Sequence, residues 1–279
     1  MELGKSIKYL RTNLELTQKQ LAEGICSQSL LSRVEQGLEI PSVIIVHNIC
    51  QKLDITIDTL LSTSQLDSPF IQLKKELQEL FLSHDFETLY ASLHKKTLAL
   101  FETHSQATHY YFYLGVCELL YKHHPQNAIQ HLEEALLLNA QRTTTHETLI
   151  HSYLMLAYFE DNNDINALKQ LNQCLLFLHK PVEAFPLMPT IYLNIARAYA
   201  NQAENLTAIE YLHLGISCCQ KQNSTFQLSH LFFELGVLFI KTNRKQSGIR
   251  KIKFSLELSS YLDEQFVTAD LTKRRKLLY

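Results

Sequence analysis

Apolar residues return along this chain at spacings of three and four, the mark of helices that bury one face. Ile7, Leu10 and Leu14 share one face of a first helix. Thr17 is placed to cap a second, and Gln20 at its third position completes a capping-box spacing. Leu21 and Ala22 face inward, Gly24 breaks the helix, and Ile25 fills the turn. Ser27 caps a third helix whose buried side is Leu31 and Val34, with Leu30 alongside. Gly37 closes it as a left-handed residue just past the last turn. Pro41-Ser42 opens a fourth helix carrying Val43, Ile44, Val46, Ile49, Cys50 and Leu53, and residues 57–61 form a short fifth.

The polar, turn-rich stretch from Ser62 to Pro69 interrupts this pattern and reads as a linker over 62–70. Beyond it the chain repeats. Three copies align without gaps: His151, Leu154, Met155, Tyr158 with Ala167, Leu171, Cys174; then Tyr192, Ile195, Ala196, Tyr199 with Ala208, Leu212, Gly215; then Phe232, Leu235, Gly236, Phe239 with Gly248, Ile252, Ser255. Tyr111, Leu114 and Gly115 with Ala128, Leu132 and Ala135 make a fourth copy if one residue is inserted in its turn. Residues 71–103 form a degenerate first copy, and 264–279 a capping helix. Large residues at one set of positions and small ones at another are the tetratricopeptide pattern, in which two helices approach closely at the small residues and each pair stacks on the next. The predicted fold is therefore all-α. A five-helix helix-turn-helix domain over 1–61 precedes a right-handed tetratricopeptide solenoid over 71–279, and the repeated aromatic and small residues are its core.

Composition agrees with a folded helical chain. Of 279 residues 46% are hydrophobic, and only seven are Gly and six Pro. No run approaches the length of a membrane span and no secretory leader opens the sequence, so a cytoplasmic protein is expected. The six cysteines form no C-x-x-C pair and read as buried reduced thiols. Cys218 and Cys219 are adjacent, but neighbours on a helix point in different directions. Net charge is −2, and residues 1–65 carry six basic against seven acidic side chains. That balance argues against indiscriminate phosphate binding, but leaves room for a local face that reads bases.

The second and third helices have the spacing of a helix-turn-helix. Gln28, Ser29, Ser32 and Arg33 lie on the outward face of the third helix, toward the end that enters a major groove. Ser27 stands at its start, and Gln18 and Lys19 at the start of the second helix. Gln pairs with adenine, Ser and Arg reach bases or phosphates, and Gln18 is placed to donate to a phosphate. A merely solvated face would carry the same residue types, and Arg33 also suits a bracing role. Arg11 and Glu35 are expected to pair with each other inside the domain.

This segment resembles the XRE/Cro type of helix-turn-helix. The longer string Thr17-Gln18-Lys19-Gln20-Leu21, Ile25-Cys26 with Gln28-Ser29, Ser32-Arg33 with Glu35 and Gly37, Pro41-Ser42, and Lys52-Leu53 with Ile55 resembles the RNPP peptide-pheromone regulators of Gram-positive bacteria. The resemblance is strongest over residues 4–57. It implies a homodimer on a roughly palindromic double-stranded operator, and a short signalling peptide bound in the solenoid's concave groove. A dimer would set two recognition helices in major grooves about 34–36 Å apart, or a multiple of that.

The groove side of each repeat's first helix falls about two, five, six and nine positions into the pattern. In one repeat this selects Thr190, Leu193, Asn194, Arg197 and Asn201, with the last three polar residues on one stripe. An Asn amide can donate and accept along a peptide backbone, and Arg197 can hold a carboxylate. In RNPP receptors an Asn at the place of Asn194 binds the peptide backbone. Its counterpart one repeat earlier is read as Ser152, a departure that implies a different ligand or register. Neighbouring walls would add Ser152, Leu156 and Phe159; Phe233, Glu234, Val237 and Lys241; and His109, Phe112, Tyr113 and Val116.

Catalytic motifs are not found. There is no glycine-rich phosphate loop, no H-E-x-x-H and no G-x-S-x-G. His123-His124 lack partner ligands for a metal. No cofactor, metal or catalysis is expected. Two further readings remain open: a helix-turn-helix regulator whose repeats recruit another protein with no peptide ligand, and a scaffold whose helix-turn-helix no longer binds DNA.

Overall fold

The computed structural model describes residues 2–13, 16–53, 55–57, 60, 69–95, 104–139, 144–178 and 185–276. Among these the chain is helical throughout, without a strand, and forms two compact units, Met1–Lys75 and Glu76–Tyr279.

The first unit is built on α1 (Glu2–Asn13), α2 (Gln18–Ala22), α3 (Gln28–Glu35) and α4 (Val43–Lys52). Its starts and stops are the ones the residues announce. Thr17 caps α2 with a full capping box to Gln20, and the Ser27 hydroxyl accepts the Leu30 amide at 3.2 Å to cap α3. Gly37 follows α3 at φ +75°, where a side chain would be strained. Ile7, Leu21, Leu31, Val34, Ile49, Leu53 and Leu60 form the buried core, with Ile25 packed against it in the turn. Gly4 lets α1 and α3 meet, since a Cβ there would fall 1.9 Å from the Val34 carbonyl oxygen. Leu14 and most of the expected fifth helix lie outside the described residues, although Ile57 and Leu60 are helical.

The second unit is a stack of helix pairs. The inner helices are α5 (Pro69–Leu82), which belongs to this unit from Glu76 on, α7 (His104–Leu120), α9 (Thr144–Glu160), α11 (Met188–Asn201) and α13 (Leu228–Lys241). Their partners are α6 (Phe86–Lys95), α8 (Pro125–Leu138), α10 (Asp164–Leu178), α12 (Asn205–Gln222) and α14 (Lys245–Tyr261), and α15 (Gln265–Lys276) closes the series. Within each pair the inner helix ends through one left-handed residue, in turn His84, His123, Asn162, Ala203 and Asn243. The small residues do what the repeat requires: a Cβ on Gly236 would sit 2.8 Å from the Gly248 oxygen, and one on Gly248 2.6 Å from the Gly236 oxygen.

Helices α7 and α9 are buried on most sides, which is why their apolar residues do not form one clean stripe. In α11 buried residues run from Met188 to Ala198, and they include the polar Thr190 and Asn194. The stack coils until its first turn meets its last repeats. The rings of His84 and His230 lie 4.8 Å apart, and Phe81 packs near both Phe226 and Tyr153. Among the described residues no helix is long and apolar enough to cross a membrane.

Candidate functional sites: the third helix and the solenoid cavity

On α3 the residues expected to read DNA share one surface. Ser27, Gln28, Ser29 and Arg33 are exposed and Ser32 is half-buried. The Ser27 and Ser29 hydroxyls are 3.0 Å apart, and the Gln36 amide donates weakly to Ser32 Oγ at 3.4 Å. Arg33 Nε meets Glu39 at 3.0 Å, but both side chains are well exposed, so the pair is weak and readily exchanged for a phosphate. Lys19 is exposed on α2.

Gln18 is different from its expectation. Its Nε2 donates to Glu35 Oε2 at 2.8 Å, and so is committed inside the domain. The buried Glu35 gathers three donors, because Arg11 also reaches it through Nε at 2.7 Å and Nη2 at 3.1 Å. The expected Arg11–Glu35 pair is therefore present. Gln18 joins it because an ionised carboxylate beneath α2 needs its remaining lone pairs satisfied.

The coil of the second unit surrounds a partly open cavity of about 310 Å³. The turn after α5 supplies His84 and Asp85, α9 supplies Tyr153, and α11 supplies Thr190, Leu193, Asn194 and Arg197. Gln227, His230 and the residues Phe266, Val267 and Asp270 of α15 complete the far side. Behind this wall Asn194 Nδ2 donates to Ser152 Oγ at 3.1 Å, and Ser152 Oγ donates to the Leu149 carbonyl at 2.7 Å. Arg197 Nε and Arg274 Nη2 both donate to Glu234 Oε1, at 2.9 and 2.7 Å.

The charges in this wall are set by burial and by that triad. Burial opposes ionisation of Glu234, but Arg274 and Arg197 outweigh it and hold the carboxyl at about 2. Burial and the nearby Arg197 push His84 down to about 4. His230 lies well below its ordinary value, through burial first and then His84, Arg197 and Arg274. Both imidazoles are therefore neutral at physiological pH. Burial also pushes the Tyr153 hydroxyl far up, so it stays protonated.

Of the groove residues read from the repeats, Thr190, Leu193, Asn194 and Arg197 come together in the cavity wall. The others do not line it. Asn201 and Lys241 are exposed at the ends of their helices. Phe233 is 1% exposed, under the Arg274 guanidinium at 4.7 Å, and Val237 packs into the same apolar cluster. Tyr113 is buried against Phe81 and Phe112, Leu156 is buried, and Phe159 is half-buried. Glu234 acts through the guanidinium it holds. The four positions assume an open groove, whereas here α15 and the His84 turn fold over the inner face and bury part of it.

Ser152 is a correction. The gapless repeat spacing that aligns Tyr192 with His151 puts Tyr153, not Ser152, at the place of Asn194. Tyr153 lines the cavity, while Ser152 is fully buried as Asn194's hydrogen-bond partner. Aligning Tyr192 with Phe232, one repeat later, puts His230 at the place of Thr190. Tyr153 and His230 were thus within reach of the repeat pattern. His84 and Gln227 sit in turns, and Phe266 and Asp270 on the capping helix, where no repeat register points to them. Among the described residues no group of three or more His, Cys, Asp or Glu is placed to hold a metal.

A capped and glycine-terminated α3 on one unit and a partly enclosed cavity in a helical-repeat unit are thus the two candidate sites, and the first has the form of a helix-turn-helix domain. Residues 7–60 match the helix-turn-helix family. No curated protein matches the chain. Among solved structures, PlcR of Bacillus thuringiensis in complex with the peptide PapR7 and DNA is 22% identical, covers 97% of this chain and 98% of its own, and has a TM-score of 0.81. ComR of S. thermophilus in complex with DNA and its signalling peptide ComS is 12% identical, covers 99% of both chains, and has a TM-score of 0.65. The pheromone receptor Rgg2 of Streptococcus dysgalactiae is 16% identical over 99% of this chain and 100% of its own, at a TM-score of 0.61. The resemblance to RNPP regulators carried by residues 4–57 is thus joined by a fold shared along the whole chain.

Proposed function

We propose that the protein is a cytoplasmic transcription regulator that binds a roughly palindromic operator as a homodimer and is switched by a short signalling peptide held in the solenoid cavity. The observation that carries this reading is the cavity wall itself. Asn194 and Arg197 stand side by side on one buried helix, with the neutral pair His84 and His230 and the protonated Tyr153 nearby. Polar side chains buried around an empty space of ligand size suit a small molecule with amide and carboxylate groups. The fold shared with PlcR bound to PapR7 and DNA, and with ComR bound to DNA and ComS, supports the same ligand classes. A solenoid that only recruits a folded protein would have no need of a recessed cavity with unpartnered polar atoms in its wall.

DNA reading is assigned to Gln28, Ser29, Ser32 and Arg33, with Ser27 and Lys19 as backbone contacts. Fluorescence anisotropy with DNA from the protein's own upstream region tests this. Gln28→Ala with Arg33→Ala should weaken specific binding by about 1–3 kcal/mol per lost base contact, with the fold intact. Unchanged DNA affinity would leave the chain a scaffold and refute the assignment.

A further inference from the structure

We infer, resting on the receptor reading above, that the cavity's ligand is a peptide of opposite charge at its two ends, its C-terminal carboxylate on Arg197 and a cationic group at the acidic rim made by Asp85, Glu87 and Asp270.

Three observations converge on this. The first is the charge imbalance inside. Two guanidiniums, of Arg197 and Arg274, share the single oxygen Glu234 Oε1. Asp270 also reaches Arg274 Nη1, at 3.9 Å, so Arg197 is the guanidinium left with only a share of one carboxylate. Among the described residues only the Nε of Arg197 is engaged, so the other N–H groups of a five-donor fork remain available at the cavity wall. A planar carboxylate is the natural partner for that fork. The neutral His84 and His230 add no competing charge.

The second is a pair of orphaned polar atoms. Gln227 Oε1 and Thr190 Oγ1 are buried without a hydrogen-bond partner among the described residues, and both residues line the cavity. They are 5% and 1% exposed. Gln227 is moreover held at φ +66°, a left-handed conformation that costs energy in a non-glycine residue. An amide oxygen can only accept, so Gln227 calls for an N–H, while the Thr190 hydroxyl can donate or accept. A peptide bond next to a terminal carboxylate offers both, and would satisfy groups that are costly to leave bare.

The third is the rim. Among the described residues, the formally charged ones lining the cavity besides Arg197 are Asp85, Glu87 and Asp270. Glu87 is exposed, and the Asp270 side chain is 48% exposed, with the Arg274 guanidinium no nearer than 3.9 Å and the neutral His230 imidazole at the same distance. Asp85 spends one oxygen capping the Thr88 amide at 3.0 Å. A ligand bearing only negative charge would pass these carboxylates at a cost. One bearing an ammonium or guanidinium at its outer end would be drawn in and oriented.

The test uses the full chain and two synthetic pools of randomised pentapeptides, identical except that one carries free C-terminal acids and the other C-terminal amides. Retained peptides are read by mass spectrometry. Free acids containing Lys or Arg near the N-terminus should be enriched about tenfold over amides and over acidic sequences, as expected for a charge-assisted contact. Arg197→Gln should erase the preference for acids. Glu87→Lys, a change at an exposed residue, should move the enrichment from cationic to acidic sequences with circular dichroism unchanged. Equal retention of acids and amides, or a side-chain preference indifferent to Glu87→Lys, would overturn the inference while leaving the receptor reading standing. Retention of no peptide by the unaltered protein would overturn both.

Discussion

Replacing Glu234 with Gln isolates the ion triad behind the cavity. The substitution keeps the shape and removes the charge that two guanidiniums share. Holding this carboxyl at about 2, against an ordinary 4.5, corresponds to about 3 kcal/mol in favour of its ionised form. The Glu234 side chain is only 13% exposed, so solvent screens little of this. Because the folded value is depressed, the stabilisation is complete above the ordinary value and fades as pH falls through about 2. At neutral pH, Glu234→Gln should therefore cost the solenoid about 3 kcal/mol, or a fall of roughly 6–12 °C in melting temperature for a unit of this size. Urea denaturation followed by far-ultraviolet circular dichroism measures it, since the solenoid supplies most of the helical signal. Adding Arg274→Met should recover part of the loss by removing a cation left without its partner. The gap between the two proteins should also narrow below pH 4. A loss under about 1 kcal/mol, or one that does not change with pH, would show that the triad is not the electrostatic unit described here.

Other consequences are independent of that triad. His84 and His230 are neutral in the folded chain but take up protons when unfolded below about 6.5, so stability should fall as pH drops from 6.5 toward 4; a flat urea midpoint across that window would contradict their burial. Gly236→Ala would place a Cβ 2.7 Å from Ile252 Cγ1 and 2.8 Å from the Gly248 oxygen, and should cost about 1–3 kcal/mol by prising α13 from α14. Ala203→Gly should stabilise by about 1 kcal/mol, because Ala203 holds φ +63° in an exposed turn; chemical denaturation would detect either sign.

The sequence announced whatever depends on local chemistry. The capping box at Thr17, the cap at Ser27, the left-handed Gly37 and the Arg11–Glu35 pair all follow from residue types at fixed spacings, and they stand where those spacings put them. The repeat register likewise gives the helix pairs, because Gly236 and Gly248 can only mean close approach. The cavity was less legible. Its wall depends on how far the solenoid coils, which brings His84 from the first turn against His230 more than 140 residues later. Register along one helix carries no information about that closure. For the same reason Phe233 and Leu156, read as groove residues, are core, and Gln18 is tied to Glu35 across a turn that no spacing rule describes.

The central claim is that the cavity and α3 act on one equilibrium, and linkage makes it testable in one titration. A peptide that favours the DNA-competent arrangement must bind more tightly when operator is present, and one that opposes it more weakly, by the same factor in both directions. The measurement is the dissociation constant of a cavity-bound peptide, selected as above, with and without saturating operator DNA. A change of about fivefold or more, matched by the effect of peptide on DNA affinity, is the predicted result. Identical peptide affinity in both conditions would contradict the account.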